Sequence, residues 1–346
     1  MVTNPLPESI DSEVALDDVL TTPRPELIRF IKTLTSPLLI LGAGGKMGPS
    51  LAVLAKRAAE TAGHPLEVLA ASRFSDAAGR DWLEERGVRT LVADALQRED
   101  LAALPDADNV IYLVGQKFGT SDNPARTWIA NTLAPALAAE RFRSARIVAL
   151  STANVYPLAS VAAGGSREDA PLTPLGEYAN AAVARERTFE YFSQQYGTHV
   201  ALLRLSYALD LRYGVIADIA GRVLRGEPIP LASGYFNAIW QGDANELILR
   251  SLALASSPAA AFNLSGPMLA VRDVAERIGE LLGRQPVFEG KETGTALVCN
   301  TTRLDGLLGT PPTPLDTILR WTAAWVSSGS RSLGKPTHFE TRDGNY

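Results

Sequence analysis

The residues whose types and spacing can do chemistry stand together at Gly42-Ala43-Gly44-Gly45-Lys46-Met47-Gly48. A glycine-dense turn lets backbone approach a pyrophosphate closely, because no Cβ stands in the way. A helix that starts directly after such a turn aims its unpaired N–H groups and positive dipole end at the phosphates. Gly42, Gly45 and Gly48 complete the spacing G-x-x-G-x-x-G, while Gly42 and Gly44 only approach G-x-G-x-x-G. The rival reading, a P-loop, fails because Met47 rather than Ser or Thr follows Lys46 and because the upstream glycine spacing is wrong. The turn therefore reads as a dinucleotide site, with Gly42, Gly44, Gly45, Lys46, Met47 and Gly48 as cofactor-binding residues.

A second chemical signal lies at Ser72-Arg73, which ends the strand-like run Leu66 to Ala71. In dinucleotide folds an acidic residue at this point binds the adenosine ribose hydroxyls, whereas an arginine suits a 2′-phosphate. Ser72 and Arg73 thus favour NADP, and Asp76 close behind keeps NAD open.

Several elements must position these residues. Pro37 to Leu41 is an uncharged run of strand length, and Pro49 suits a first helical turn. Leu51, Leu54, Ala55 and Ala58 then recur at helical spacing until Gly63 offers a stop. Val88 to Val92 predicts a third strand leading into Asp94-Ala95. Asn109 to Gly115 predicts a fourth, which brings Val114 and Gly115 beside the cofactor. Pro124 to Glu140 is helical in pattern and carries Asn131, and Ala145 to Leu150 predicts a fifth strand running into Ser151-Thr152-Ala153-Asn154-Val155-Tyr156. This alternation predicts an α/β fold, a Rossmann-like doubly wound parallel sheet with a smaller C-terminal substrate-binding part. In segments, residues 1–36 read as an N-terminal extension, loose or surface-bound through residue 24 and then a short helix from Pro25 to Thr33. Residues 37–205 read as the dinucleotide-binding domain, 206–326 as mainly the substrate-binding part with strands returning to the first domain, and 327–346 as a tail, open to being disordered or to lying across the substrate mouth or a neighbouring subunit. Gly214 to Gly226, Val271 to Leu282 and Pro314 to Val326 are helical, the last with Trp321 and Trp325 as packing residues.

Composition narrows the partners. The 346 residues are 46% hydrophobic, enough for a sizeable core, and the net charge of −5 is mixed along the chain. No basic face is announced for nucleic acid or anionic lipid, and no apolar run is long enough to span a bilayer. Cys299 is the only cysteine and the three histidines (His64, His199, His338) are scattered, so neither an internal disulfide nor a metal site is expected. The N-terminus has no secretory pattern, which places the protein in the cytoplasm with a small-molecule substrate. A homodimer is an assembly open to it.

The distributed pattern resembles the extended short-chain dehydrogenase/reductases, the NAD(P)-dependent epimerase/dehydratase family. The glycine turn, Asp94, Asn131, Ser151-Thr152-x-x-Val155-Tyr156 and Tyr178 follow the family's order and approximate spacing. Leu203-Arg204-Leu205, Trp240-Gln241-Gly242-Asp243 and Phe262-Asn263-Leu264-Ser265-Gly266-Pro267 also look like family segments, so the likeness covers roughly residues 37 to 326. It implies that Thr152 orients the substrate's hydroxyl or carbonyl, that Tyr178 exchanges its proton, and that Asn131 helps organise the site.

The departures are equally specific. The family's lysine four residues after the tyrosine is Ala182 here, so the ammonium that binds ribose and activates the phenol is missing. Arg185 takes its place only if its side chain folds back along the helix. Ala153-Asn154 replace the Asp-Glu pair of the 4,6-dehydratases. Tyr235 to Trp240 has no arginine where many nucleotide-sugar members hold a diphosphate, which leaves Arg212 or Arg222 for that task. The resemblance implies an oxidoreductase or epimerase acting on a hydroxyl or ketone of a small sugar, polyol or sugar-derived acid. The alternative is a non-catalytic NAD(P)-binding sensor or scaffold.

Overall fold

The computed structural model describes residues 6–116, 123–335 and 337–344. Along the chain the strands are β1 (Leu38–Leu41), β2 (Val68–Ser72), β3 (Arg89–Val92), β4 (Asn109–Tyr112), β5 (Arg146–Thr152), β6 (Ala159–Ser160), β7 (His199–Leu205), β8 (Tyr207–Leu209), β9 (Pro228–Pro230), β10 (Tyr235–Trp240), β11 (Ala260–Leu264), β12 (Met268–Ala270), β13 (Val287–Glu289) and β14 (Thr295–Ala296). The α-helices are α1 (Glu13–Leu20), α2 (Pro25–Ile31), α3 (Gly48–Thr61), α4 (Ala77–Glu84), α5 (Arg98–Ala103), α6 (Pro124–Arg141), α7 (Glu177–Tyr196), α8 (Val215–Arg225), α9 (Gln241–Arg250), α10 (Val271–Leu282), α11 (Thr302–Leu308) and α12 (Leu315–Ser327).

The central sheet has seven strands in the order β11-β7-β5-β4-β1-β2-β3, every pair parallel. All four residues of β1 are buried because the sheet is covered on both faces, which is why the strand reads as an unbroken apolar run. The twofold period of a strand divides the core in two. Ile40, Val68, Ala70, Ile111 and Val148 share one layer with Leu51, Leu54 and Ala55 of α3 and Leu247 and Ile248 of α9. Leu39, Leu41, Leu69, Tyr112 and Ile147 face the other way, with Leu101 of α5, Leu137 of α6 and Phe189 of α7. From β1 the order runs outward through β2 on one side and β4 on the other. The carboxyl ends of β1 and β4 therefore diverge into a crevice at the switch point, where such sheets take ligands.

The C-terminal core gathers β8, β10 and β12 with α8, α10 and α12. Trp321 and Trp325 are buried in it, as their helical spacing predicts. Trp321 packs on Trp240 with ring centroids 5.3 Å apart and donates from Nε1 to the Pro7 carbonyl (3.0 Å). Of the two alternatives for residues 1–24, loose or surface-bound, this bond goes with the second. Ser12 caps α1 by accepting from the Ala15 N–H, and Ile10, Leu16 and Leu20 are buried in the C-terminal core. The tail is likewise anchored, with Phe339 in the same core. Among the described residues no helix is long and apolar enough to cross a membrane.

Candidate active site

The glycine turn closes the crevice at the end of β1. Gly42 has φ +85°, and a Cβ there would lie 2.9 Å from the Val114 nitrogen, so glycine is required where the turn passes the end of β4. A Cβ on Gly48 would stand 2.3 Å from the Ala43 carbonyl oxygen, so the first residue of α3 must also be glycine for the helix to seat on the turn. Gly45 differs. Its φ lies outside the left-handed region, and an added Cβ would meet only the Gly42 carbonyl oxygen, at an ordinary 3.4 Å. The chain itself gives no reason for glycine at position 45, which leaves close approach by a ligand as the physical reason.

The crevice has a volume of about 620 Å³ and is lined by Gly42, Gly44 and Gly45. The other turn residues point elsewhere. Lys46 reaches across to the C-terminal part, donating from Nζ to the Ala208 carbonyl (2.9 Å) and lying 3.8 Å over the Tyr213 ring. Met47 packs in the core beside α3. The first turn of α3 has no side-chain cap, so its amide end is left for whatever fills the crevice.

Ser72 and Arg73 line the same crevice, and Arg73 is exposed at its edge. Asp76 caps α4 through the Ala78 N–H (3.1 Å) and also lines the crevice, so the Arg73 guanidinium and a carboxylate both face it from this loop. Asp94 accepts from the Leu96 N–H (3.0 Å), a turn that presents Ala95 and Leu96 to the crevice as an apolar wall. Val114 and Gly115 complete the lining from the end of β4.

From this crevice opens a chamber of about 200 Å³, lined by Thr152, Tyr178 and Arg185 together with Asn154, Tyr207 and Leu297. Thr152 ends β5, and its hydroxyl donates to Asn154 Oδ1 (2.9 Å) while accepting from the Asn154 N–H (3.2 Å). One lone pair stays available to a substrate hydroxyl. Tyr178 sits in the first turn of α7, mostly buried. Asn131 does not line the chamber. It lies behind Gly115, where its Nδ2 donates to the Thr127 carbonyl (2.8 Å) and its Oδ1 is buried without a partner. Pro135, one turn later in α6, has no N–H to give the Asn131 carbonyl.

Arg185 does fold back. It is only 5% exposed, its Nη1 donates to the Val114 carbonyl (3.2 Å), and its Nε is buried with no partner. No carboxylate forms an ion pair with it among the described residues. An unpaired buried cation is costly, so its setting beside the chamber is the most unusual electrostatic feature of the site. Sequence spacing placed it on the face of Tyr178, but only packing decides that the guanidinium turns toward β4. Ala182 is fully buried in a small apolar cluster with Ala153, Val155, Tyr156 and Cys299.

A buried network holds these elements in place. Ser151 donates to Glu186, and Arg204 of β7 grips the same carboxylate through Nε (3.1 Å) and Nη2 (2.7 Å). Arg204 Nη1 donates to the Tyr156 hydroxyl (2.7 Å), which donates to Asn263 Oδ1 (2.7 Å). Burial pushes the Tyr156 phenol up to about 12 against the opposing effect of Arg204, so it stays a neutral donor. The network ties β5, α7, β7 and β11 together directly behind Thr152. The sequence flagged Arg204 and Asn263 only as parts of family segments, since partners this far apart along the chain leave no local pattern.

Arg212 and Arg222, the two sequence candidates for a diphosphate, are committed elsewhere. Arg212 pairs with Asp210 (2.8 Å) and Asp17 (3.1 Å), and Arg222 donates to the Pro228 carbonyl (2.8 Å) and faces Glu340 (3.7 Å). His64 bonds the Leu34 carbonyl, and burial raises the Cys299 thiol to about 12. Among the described residues no cluster of potential metal ligands occurs.

The profile of the NAD dependent epimerase/dehydratase family matches residues 38–239, more than half of the chain. No curated protein matches it. Among solved structures, the UDP-glucose 4-epimerase of Thermotoga maritima bound to UDP-glucose superposes with a TM-score of 0.68 at 19% identity, covering 85% of this chain and 99% of the other. An epimerase from Methanothermobacter thermautotrophicus gives 0.70 at 18%, covering 88% and 96%. A dTDP-glucose 4,6-dehydratase from Streptomyces venezuelae with NAD bound gives 0.69 at 18%, covering 84% and 97%. At these identities the likeness carries the fold.

Proposed function

This chain belongs to the NAD-dependent epimerase/dehydratase family, and on that premise we propose that it is an NAD(P)-dependent oxidoreductase or epimerase acting on a hydroxyl or ketone of a small sugar, polyol or sugar-derived acid. The observation that carries the reading is the convergence of Thr152, Tyr178 and the unpaired Arg185 on one chamber that opens off the glycine-lined crevice. Residues 37–205 then serve the dinucleotide and 206–326 mainly the substrate.

The dinucleotide supplies a hydride acceptor when bound. Gly42, Gly44 and Gly45, with the amide end of α3, hold its pyrophosphate. Ser72 and Arg73 hold a 2′-phosphate, which favours NADP while NAD, bound in the Streptomyces dehydratase, is the other candidate. Asp94, Ala95, Val114 and Gly115, which line the crevice, would hold the rest of the dinucleotide. Lys46, Met47 and Gly48 serve through backbone and packing. With the dinucleotide bound as hydride acceptor, Tyr178 would take the single proton of the reacting hydroxyl, and Thr152, at the end of β5, would orient that hydroxyl. Asn131 supports Gly115 from behind. Arg185 replaces the missing ammonium, offering charge-assisted donors to the ribose and a positive potential to the phenol.

The buried alanine at position 182 favours the second reading, a non-catalytic sensor, in one respect: the usual activating group is absent. A spectrophotometric screen of NADP⁺ and NAD⁺ reduction against sugars, polyols and sugar acids, with NMR of the same mixtures to detect redox-neutral epimerisation, separates the two. The enzyme reading expects turnover that falls by about 10² or more in Tyr178→Phe. Dinucleotide binding with no turnover across the panel would favour the sensor.

A further inference from the structure

The C-terminal segment ties the substrate-binding part to the helix that carries Tyr178. Thr337 donates from its backbone N–H (2.8 Å) and its hydroxyl (2.6 Å) to Asp218 of α8, and the Ser233 hydroxyl donates to the Glu340 carbonyl (3.1 Å). Arg342 donates to the carbonyls of Ala232 (2.9 Å) and Thr295 (2.7 Å) and to the Thr295 hydroxyl (2.9 Å). Gly344 then meets Leu175 and Gly176, immediately before α7. A Cβ on Gly344 would stand 2.3 Å from the Leu175 carbonyl oxygen, and one on Gly176 would stand 2.2 Å from the Gly344 carbonyl oxygen. The seam is backbone against backbone and admits a side chain from neither strand of it.

Between these anchors the segment walls a recess of about 20 Å³ that continues outward from the chamber, with Asn154 and Leu297 lining both and Thr341 and Arg342 closing the outer side. Asn154 Nδ2 is buried with no hydrogen-bond partner. Arg342 spends three N–H groups on uncharged oxygens out of the five a guanidinium carries, and no carboxylate pairs with it among the described residues. Among the described residues no acidic side chain lines the recess. The groups unspent here are donors, an amide and a guanidinium, and the partner that satisfies both is a carboxylate.

Size points the same way. The chamber's roughly 200 Å³ must also admit the reactive ring of the cofactor, and it is smaller than the roughly 300–1,000 Å³ of ordinary small-molecule sites. Arg212 and Arg222 are already bound to other groups.

We propose that the substrate is a compact hydroxy acid whose carboxylate is held by Arg342 and Asn154 while its reacting hydroxyl faces Thr152 and Tyr178, and that the C-terminal segment excludes nucleoside diphosphate sugars. The proposal rests on the oxidoreductase reading of the chamber. It is tested by calorimetric titration of the full-length protein, first with NADP⁺ and then, once saturated, with D-galacturonate, D-gluconate, D-galactose and UDP-glucose. The expected result is that at least one acid binds ten-fold or more tighter than galactose, that UDP-glucose gives no saturable heat, that Arg342→Met removes the preference for the acid, and that Arg342→Lys retains it. Arg342→Lys carries the test if Arg342→Met fails to fold. Saturable UDP-glucose binding, no preference for either acid, or an unchanged preference in Arg342→Met overturns the inference. Normal NADP⁺ binding alongside such a result leaves the oxidoreductase reading standing, whereas a chain that binds no dinucleotide loses both.

Discussion

Arg185→Met separates a functional cation from a structural one, because the two roles move stability and binding in opposite directions. The native guanidinium makes one bond, to the Val114 carbonyl at 3.2 Å, and keeps Nε buried without a partner. Losing the bond costs about 1 kcal/mol, while relieving the unsatisfied buried donor returns about 1–3 kcal/mol, and methionine fills much of the same volume. The cofactor-free variant is therefore expected to be as stable as wild type or up to about 2 kcal/mol more stable. Binding of NADP⁺ should fall by about 1.5–3 kcal/mol, roughly 10- to 150-fold, if the guanidinium donates to the ribose. Urea unfolding and calorimetry measure the two. A variant that is destabilised by 2 kcal/mol or more and binds NADP⁺ normally would refute the assignment and make Arg185 a packing residue.

Other outcomes follow from the same geometry. Arg73→Ala should cost NADP⁺ about 1.5–3 kcal/mol and leave NAD⁺ unchanged, checked by parallel titrations. Tyr112→Phe removes a fully buried hydroxyl with no partner, so stability at neutral pH should hold or rise by up to about 1 kcal/mol. Burial holds that phenol above its ordinary value, so its contribution is intact below the unfolded value of about 10 and is lost as pH climbs toward the folded one. Unfolding measured from pH 9 to 11 should therefore show a shallower loss in the variant than in wild type.

The parts of this account legible in the sequence share a local cause. The run Leu38 to Leu41 reads as a buried strand because all four of its side chains are buried in a sheet covered on both faces, and Val271 to Leu282 reads as a helix because one stripe of it is apolar. What escaped depends on distant partners. Residues 10–20 alternate short apolar and acidic stretches, and Ile10, Leu16 and Leu20, flanked by Ala15 and Val19, meet a core built about two hundred residues later, so from the sequence alone they read as loose or surface-bound. The tail has a single anchor of the same kind in Phe339. Arg185 was visible as a position on the face of Tyr178, but a side chain with four rotatable bonds has no direction until β4 and Gly115 surround it. Asn154 read only as an absence of dehydratase carboxylates, and its unpartnered amide emerges once Leu297 and the tail close around it.

The central claim, that the glycine-lined crevice is a dinucleotide site, is tested most directly at Gly45. An added Cβ there meets the protein only at 3.4 Å, so Gly45→Ala should melt like wild type without cofactor, yet its methyl stands where a pyrophosphate must approach. Calorimetric titration with NADP⁺ should give saturable binding to the wild type and at least ten-fold weaker binding to the variant. Equal dissociation constants, or no binding of NADP⁺ or NAD⁺ to the wild type, would contradict the account.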